Sequence, residues 1–324
     1  MIKVAINGFG RIGRAFFRVA SERDDIDIVA VNDLGEQKNL EYLLKYDSVY
    51  GQFSNTKFPN VRWLQEKEPT KLPWKDMGVD VVVESTGIFT DFDKARVHIE
   101  AGARRVVISA PAKGDASLGA TVLMGVNEDR LKTCVVSSNA SCTTNASSPL
   151  IAILDAALGI ERALLNTTHA YTATQAIVDG PSKKGLREGR AAALNIIPSS
   201  TGAAVAVTKA YESLEGKFDG ISLRVPVPAG SIADITFIAK RNTTAEEVNS
   251  ILKAAANDAR WQGIFTVSEE ELVSSDIVGN PHAAIADLTM TRVIGNLVKV
   301  LSWYDNEMGY THALVRHVVA AGNT

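Results

Sequence analysis

At 324 residues the chain is too long for one hydrophobic core of ordinary size, so two domains are expected. With 46% apolar and 22% charged residues and a net charge of −3, its composition is that of a globular protein and gives no reason to expect nucleic acid or an anionic membrane as partner. Two cysteines, Cys134 and Cys142, exclude a disulfide framework and fit a reducing compartment. The N-terminus lacks a cleavage-site pattern, and no apolar run approaches the ~20 residues of a membrane span, so a cytoplasmic protein is expected.

Residues 3–7 branch like a short buried strand and run straight into Gly8-Phe9-Gly10-Arg11-Ile12-Gly13. Residues 14–20 then carry apolar side chains at helical spacing. This is the strand-to-helix turn of a dinucleotide-binding unit: Gly8 permits the tight turn, Gly10 lets backbone approach a pyrophosphate, and Gly13 lets helix pack on strand. A second strand, 27–32, ends in Asp33, where an acid meets adenosine ribose hydroxyls and repels a 2′-phosphate, so NAD is preferred to NADP. Residues 39–46 read as helix. Residues 51–71, polar with Pro59 and Pro69, read as loop with at most a short strand. Residues 79–84 form a third buried strand, which runs into Ser85-Thr86-Gly87, small residues at a carboxyl end where open α/β sheets hold ligands. A helix over 92–101 and strands over 105–111, 120–126 and 132–137 continue the alternation, which predicts a doubly wound parallel sheet.

Ser138-Asn139-Ala140-Ser141-Cys142-Thr143-Thr144-Asn145 places one thiol among small hydroxyl and amide side chains, ahead of an apolar helical run over 149–158. A thiol at the mouth of a helix sits in a field that favours its anion, the form that attacks carbonyl carbon. Cys134, flanked by valine, reads as a small core residue. From here the alternation lapses into longer strands. A strand over 161–168 delivers His169, whose ordinary pKa of about 6.5 suits proton transfer. His98, His312 and His317 fall in predicted helices and His282 in a loop, none in a comparable setting. A long irregular stretch covers 179–190, and Gly202 opens a helix. Residues 220–228 and 231–240 read as adjacent strands, Thr244 caps a helix through Ala256, 297–304 is a last strand, and 306–320 a terminal helix.

A Cys–His pair beside a nicotinamide points to aldehyde oxidation: the sulfur adds to the aldehyde, hydride leaves to NAD, and an acceptor releases the thioester. Phosphate fits as acceptor, because Ser141, Thr143 and Thr201 offer hydroxyls, Gly202 a backbone N–H at a helix start, and Arg224 a fork of donors, enough for two anions. No residues read as metal ligands. A thiol hydrolase or acyltransferase using Cys142 and His169 without a redox cofactor is the alternative chemistry, and the glycine-rich turn with Asp33 argues against it. A catalytically silent binding protein is hard to reconcile with an intact Cys–His pair.

The segment around Cys142, together with Asn7-Gly-Phe-Gly-Arg-Ile-Gly13, Ile197-Pro-Ser-Ser-Thr-Gly-Ala-Ala204 and Ser302-Trp-Tyr-Asp-Asn-Glu307, resembles phosphorylating glyceraldehyde-3-phosphate dehydrogenase along nearly the whole chain. The resemblance implies Cys142 as nucleophile and His169 as its activating base and later an oxyanion ligand. It implies that Arg11, Ile12, Asp33, Ser109 and Asn306 contact NAD, alongside Asn7, Gly8 and Gly10 of the turn and Ser85, Thr86 and Gly87. Asn306 would reach the nicotinamide carboxamide. Thr172 and Arg224 would bind the substrate phosphate; Ser141, Thr143, Thr201 and Gly202 would bind inorganic phosphate. A homotetramer is implied, with the loop 179–190 near a neighbouring subunit's cofactor. The expected fold is an α/β Rossmann NAD domain (1–140, joined by the C-terminal helix 306–324) plus an α+β catalytic domain with a mostly antiparallel sheet (141–305). The expected reaction converts D-glyceraldehyde 3-phosphate to 1,3-bisphosphoglycerate in glycolysis, through a Cys142 thiohemiacetal and thioester; erythrose-4-phosphate dehydrogenase shares the motifs. Three departures stand out: a shortened segment between Gly51 and Pro69, Lys67 where the family commonly has an arginine near the adenine, and Ala146 in place of a second cysteine.

Overall fold

Short apolar strands in the first part of the chain pair in parallel because helical or irregular crossovers return each to the same edge direction. In the computed structural model, which describes residues 1–54 and 61–324, they form one sheet. Its order is Arg62–Leu64, Ile26–Asn32, Ile2–Asn7, Val81–Glu84, Arg105–Ile108, Val136–Ser138 and Ala120–Thr121, parallel throughout. Val4, Ala5, Ile6, Val81, Val82 and Val83 are all fully buried, since both sheet faces are covered, and this is why these strands read as unbroken apolar runs. The winding reverses between Ile2–Asn7 and Val81–Glu84, the switch point where such sheets open a ligand crevice. Gly8 and Ser85 follow those two strands directly.

The chain divides into two units, Met1–Ser141 with Thr311–Thr324, and Cys142–Tyr310. The second carries a mixed sheet ordered Ile197–Ser200, Phe218–Val225, Ile160–Ala170, Ser231–Ala239, Leu297–Tyr304, Ala284–Ile294 and Phe265–Ser268. Most of its pairings are antiparallel; Ile160–Ala170 with Phe218–Val225, and Phe265–Ser268 with Ala284–Ile294, are parallel. The helix Cys142–Leu158 packs against the central strands. Its long buried run, Thr143 to Leu154, reflects burial on nearly every side. Thr244 caps Ala245–Ala256 by accepting from Glu247 N–H at 3.2 Å.

Several local expectations are corrected. Residues 92–101 are two short helices, Phe92–Ala95 and Val97–Glu100, joined through Arg96. The strand expected over 120–126 stops after Ala120–Thr121, because the Asn127 side chain takes over the backbone: Leu123 N–H donates to its Oδ1 and its Nδ2 donates to Thr121 O. The next begins as a 3-10 turn, Glu128–Thr133, and only Val136–Ser138 pairs. Cys134 is therefore half-buried rather than core, its thiol donating to Arg130 O at 3.3 Å. Phe218–Val225 and Ser231–Ala239 do not pair with each other, since Ile160–Ala170 runs between them. Pro226 and Pro228 in the connection deny it the donors of a tight hairpin. The terminal helix starts at Met308, two residues late, because Asp305 caps it by accepting from Glu307 N–H and Met308 N–H. Ile197–Ser200, Phe265–Ser268 and Ala284–Ile294 are strands the sequence reading did not identify. Pro59, in the expected loop, lies outside the described residues. Among the described residues no helix is long and apolar enough to cross a membrane.

Candidate active site

In the first unit the glycine turn is built by close approach. Gly8 has φ +95°, and a Cβ there would lie 2.6 Å from Thr86 N. A Cβ on Gly13 would lie 2.2 Å from Gly8 O. At Gly10, by contrast, a Cβ would meet nothing within 4 Å. Gly10 caps Arg11–Ala20, a helix with no side-chain cap and no acid in its first turn. A helix start without a side-chain cap or an acid, beside the open space at Gly10, fits a pyrophosphate. Asp33 is held across this turn: Oδ2 accepts from Phe9 N–H at 2.7 Å and Oδ1 from Gly35 N–H at 2.8 Å. Half-buried Arg11 and Ile12 occupy the first turn, Arg11 paired with Asp47 at 2.6 Å. Lys67 is exposed, follows a segment tied to Asn32 through Glu66, and has no partner among the described residues. Ser109, half-buried, sits just beyond Arg105–Ile108.

The hydroxyls expected beside the cofactor are already engaged. Ser85 Oγ donates to Gly8 O at 2.6 Å and Thr86 Oγ1 to Glu84 Oε1 at 2.5 Å. What Thr86 and Gly87 leave for a ligand is backbone, with Gly87 at φ +72°. Beneath them lies a buried network that sequence reasoning missed. Glu84, 1% exposed, accepts from Thr86 N–H, Thr86 Oγ1, Asn7 Nδ2 and His98 Nε2. Trp74 Nε1 can only donate, so His98 Nδ1 accepts it at 3.2 Å and the His98 proton sits on Nε2, facing Glu84 at 2.9 Å. Asn7 Oδ1 in turn accepts from Asn32 Nδ2. Four donors thus satisfy one buried carboxylate, and the signal in sequence was only a glutamate ending an otherwise apolar strand.

In the second unit Cys142 opens the helix Cys142–Leu158. Ala140, two residues before it, has φ +54°, the one non-glycine positive φ among the described residues. Cys142 Sγ lies 3.3 Å from His169 Nε2. His169, 3% exposed, ends the strand Ile160–Ala170 with its Nδ1 2.6 Å from Ala170 O and 2.5 Å from Arg224 Nη1. Nδ1 thus faces both a donor-only guanidinium and a carbonyl acceptor; the tautomer whose Nδ1–H donates to Ala170 O leaves Nε2 to accept the thiol proton, whereas the Arg224 donor favours the tautomer with the proton on Nε2. The parallel register sets His169 beside Arg224. Burial, then the neighbouring Arg224 charge, lower His169 to about 3, so the imidazole is neutral. Burial pushes the Cys142 thiol up, against the Arg224 charge and the hydrogen bonds of the helix start, which pull it down. The field expected at the helix mouth is present, but desolvation outweighs it in the free protein. Arg224 acts on both groups in one sense, toward their proton-free forms.

Tyr304, another residue given no role from sequence, organises the floor. Its ring packs edge-on against His169 with centroids 5.9 Å apart, and its hydroxyl meets Thr143 Oγ1 and Thr167 Oγ1, each at 2.8 Å. Asn306 is oriented by relay: Ala170 N–H donates to Ser231 Oγ, which donates to Asn306 Oδ1 at 2.9 Å. Its Nδ2 has no partner among the described residues and is left as a donor for a ligand. Thr201 and exposed Gly202 precede Ala203–Ala210, and Thr201 Oγ1 accepts from Ala203 N–H. The Arg224 Nε is buried without a partner among the described residues, the donor expected where an anion is to be received. Thr172 bonds to Thr174 and Gln175 rather than to Arg224. Ser141 belongs to the first unit, next to Cys142 in the chain. Among the described residues no cluster of three or more His, Cys, Asp or Glu could hold a metal.

Two sequence families match the chain: the NAD binding domain of glyceraldehyde 3-phosphate dehydrogenase over residues 2–92 and its C-terminal domain over residues 141–306. Similar curated proteins include glyceraldehyde-3-phosphate dehydrogenase 1 of Streptomyces avermitilis, 46% identical over 100% of this chain and 99% of the relative. The glyceraldehyde-3-phosphate dehydrogenase of Streptomyces coelicolor is 47% identical over 99% of both chains. That of Clostridium pasteurianum is 45% identical over 98% of this chain and 97% of the relative.

Proposed function

The chain belongs to the glyceraldehyde 3-phosphate dehydrogenase family and is an NAD-dependent oxidoreductase, and on that premise we propose the residue roles that follow for the phosphorylating oxidation of D-glyceraldehyde 3-phosphate. The observation that carries them is the 3.3 Å approach of Cys142 Sγ to a neutral His169 Nε2. His169 takes the thiol proton as sulfur bonds to the aldehyde carbon and passes it to the carbonyl oxygen, giving a thiohemiacetal. Bound NAD would supply the acceptor for the hydride of this carbon, and loss of that hydride and of the hydroxyl proton to His169 would leave a thioester on Cys142. Phosphate oxygen then adds to the acyl carbon and the Cys142 thiolate departs, giving the acyl phosphate and the free enzyme. His169 holds the proton lost in the oxidation. Arg224, with its unpartnered Nε, and Thr172 bind the phosphate of the aldehyde. Thr143, Thr201 and Gly202, with Ser141, receive inorganic phosphate.

The Gly8-to-Gly13 turn with Asn7, Arg11 and Ile12 would hold NAD, Asp33 would bind its adenosine ribose, and Lys67 and Ser109 would line the same site. The free Nδ2 of Asn306 suits the carboxamide. A homotetramer in the cytoplasm completes the reading. Exposed Leu164, Ile221 and Ile294 on the second sheet and Ile177, Leu186 and Leu194 on the following loop support association, because apolar surface of this extent is ordinarily covered.

The test is NADH formation with glyceraldehyde 3-phosphate or erythrose 4-phosphate, with NAD or NADP, and with phosphate omitted in one arm. We expect preference for the first aldehyde, for NAD, and strict phosphate dependence. Cys142→Ser should abolish turnover while NAD still binds. Normal turnover in that variant would overturn the assignment.

A further inference from the structure

The loop 179–190 carries a carboxylate that none of the roles above uses. Glu188 is 8% exposed, unusual for a glutamate on a loop, and among the described residues no lysine, arginine or histidine pairs with it. Its Oε2 accepts from Gln175 Nε2 at 2.5 Å, and its Oε1 accepts a short hydrogen bond from Ser199 Oγ. Because Glu188 can only accept, it forces the Gln175 amide to turn its nitrogen inward. The Gln175 oxygen then faces Thr172, accepting from Thr172 N–H at 2.9 Å and from Thr172 Oγ1 at 3.3 Å. On the other side, Ser199 lies two residues before Thr201 on Ile197–Ser200, the strand that leads into the helix at Gly202. The loop brings Glu188 to this place by a closed neck: Gly180 N–H donates to Gly189 O, and Ala192 N–H donates to Ala176 O. A Cβ on Gly189 would lie 2.1 Å from Gly180 O, so the neck has no slack.

We propose that Glu188 is the positioning residue that couples the two anion subsites, fixing Thr172 through Gln175 and the Thr201–Gly202 turn through Ser199. The inference rests on the assignment of Thr172 and Thr201 to the phosphates. One buried acceptor pair thereby sets the spacing of the substrate phosphate and inorganic phosphate ligands. Its charge is tolerated because two donors satisfy it and the desolvated site lies in a loop rather than the core.

The experiment measures KM for glyceraldehyde 3-phosphate and for inorganic phosphate in Glu188→Ala, Glu188→Gln and Thr172→Ala, together with the rate of Cys142 alkylation by iodoacetamide. Glu188→Ala should raise both KM values about tenfold, the effect of losing one or two positioned hydrogen bonds, with the alkylation rate within about twofold of the parent. Glu188→Gln can still accept from Gln175 through its oxygen and donate to Ser199 through its nitrogen, so it should restore both KM values to within about threefold. A change in only one KM, parallel loss of alkylation, or a Gln variant as impaired as the Ala variant would overturn the coupling. If Thr172→Ala leaves KM for the aldehyde unchanged, the phosphate assignment itself has failed. If Thr172→Ala raises it while Glu188→Ala does not, only the role of Glu188 has failed.

Discussion

Gly10 and Gly13 lie three residues apart in one motif, yet the structure predicts opposite consequences for the same substitution. At Gly13 an added methyl would sit 2.2 Å from Gly8 O, far inside the ~3.5 Å optimum for such a contact. Helix Arg11–Ala20 would have to retreat by about 1 Å from a fully packed strand, which costs about 2 kcal/mol as overpacking. At Gly10 the methyl meets nothing within 4 Å, and φ −70° with ψ −160° is open to alanine. Gly10→Ala should therefore change stability by less than about 0.5 kcal/mol, the weaker cap offset by a less flexible unfolded chain. It should instead block the approach of pyrophosphate to the helix N–H groups. Loss of one or two charge-assisted hydrogen bonds weakens NAD by about 10- to 100-fold. Thermal unfolding without ligand and equilibrium dialysis with NAD separate the two effects. Gly13→Ala should lower the midpoint, and Gly10→Ala should leave it unchanged while losing affinity. Unchanged NAD affinity in Gly10→Ala would refute the turn as the pyrophosphate site, and a fully stable Gly13→Ala would refute the close approach.

Three further outcomes follow from other parts of the molecule. Burial lowers His317 from 6.5 to about 3, so it is neutral when folded and charges on unfolding; its contribution is complete above about pH 6.5 and lost as pH falls toward 3, at about 1.4 kcal/mol per unit. In urea unfolding His317→Gln should cost stability at neutral pH, where Ser137 and Asn139 lose their partner, but flatten the decline between about pH 6.5 and pH 5 by about 2 kcal/mol; an unchanged slope would refute the buried neutral form. Arg224→Leu removes the charge that pulls the Cys142 thiol down, so alkylation by iodoacetamide should slow at neutral pH and its profile move to higher pH; a shift to lower pH would refute that role. Tyr304→Phe strips Thr143 and Thr167 of a shared partner at 2.8 Å each, and should cost about 1–3 kcal/mol in unfolding and raise KM for inorganic phosphate several-fold; no change in either would remove Tyr304 from the site.

The glycine turn, Asp33, the parallel sheet, Cys142 and His169 were all legible in sequence, because each is written locally. A strand that must feed a tight turn needs glycine at fixed offsets, doubly buried strands are apolar without interruption, and a helix-opening thiol stands next to its own helix. Local writing also explains the errors. Ala120–Thr121 stops early because the side chain of Asn127, six residues past Thr121, takes up the backbone of Thr121 and Leu123, and 220–228 was assigned a neighbour in the chain although its partner in space is Ile160–Ala170. Tertiary structure alone decided the partners: that Trp74 fixes the His98 proton under Thr86, that Tyr304 lies against His169, and that Glu188 reaches both Gln175 and Ser199. These pairs are brought together by sheet order and loop closure, and a buried polar group is chosen for the donor or acceptor it meets across the fold, which leaves no periodic mark in the sequence. Burial itself is of this kind. Sequence could put the Cys142 thiol in a favourable field at a helix mouth, but only the packed structure shows that desolvation outweighs it, and that Arg224 sits where its charge opposes that cost.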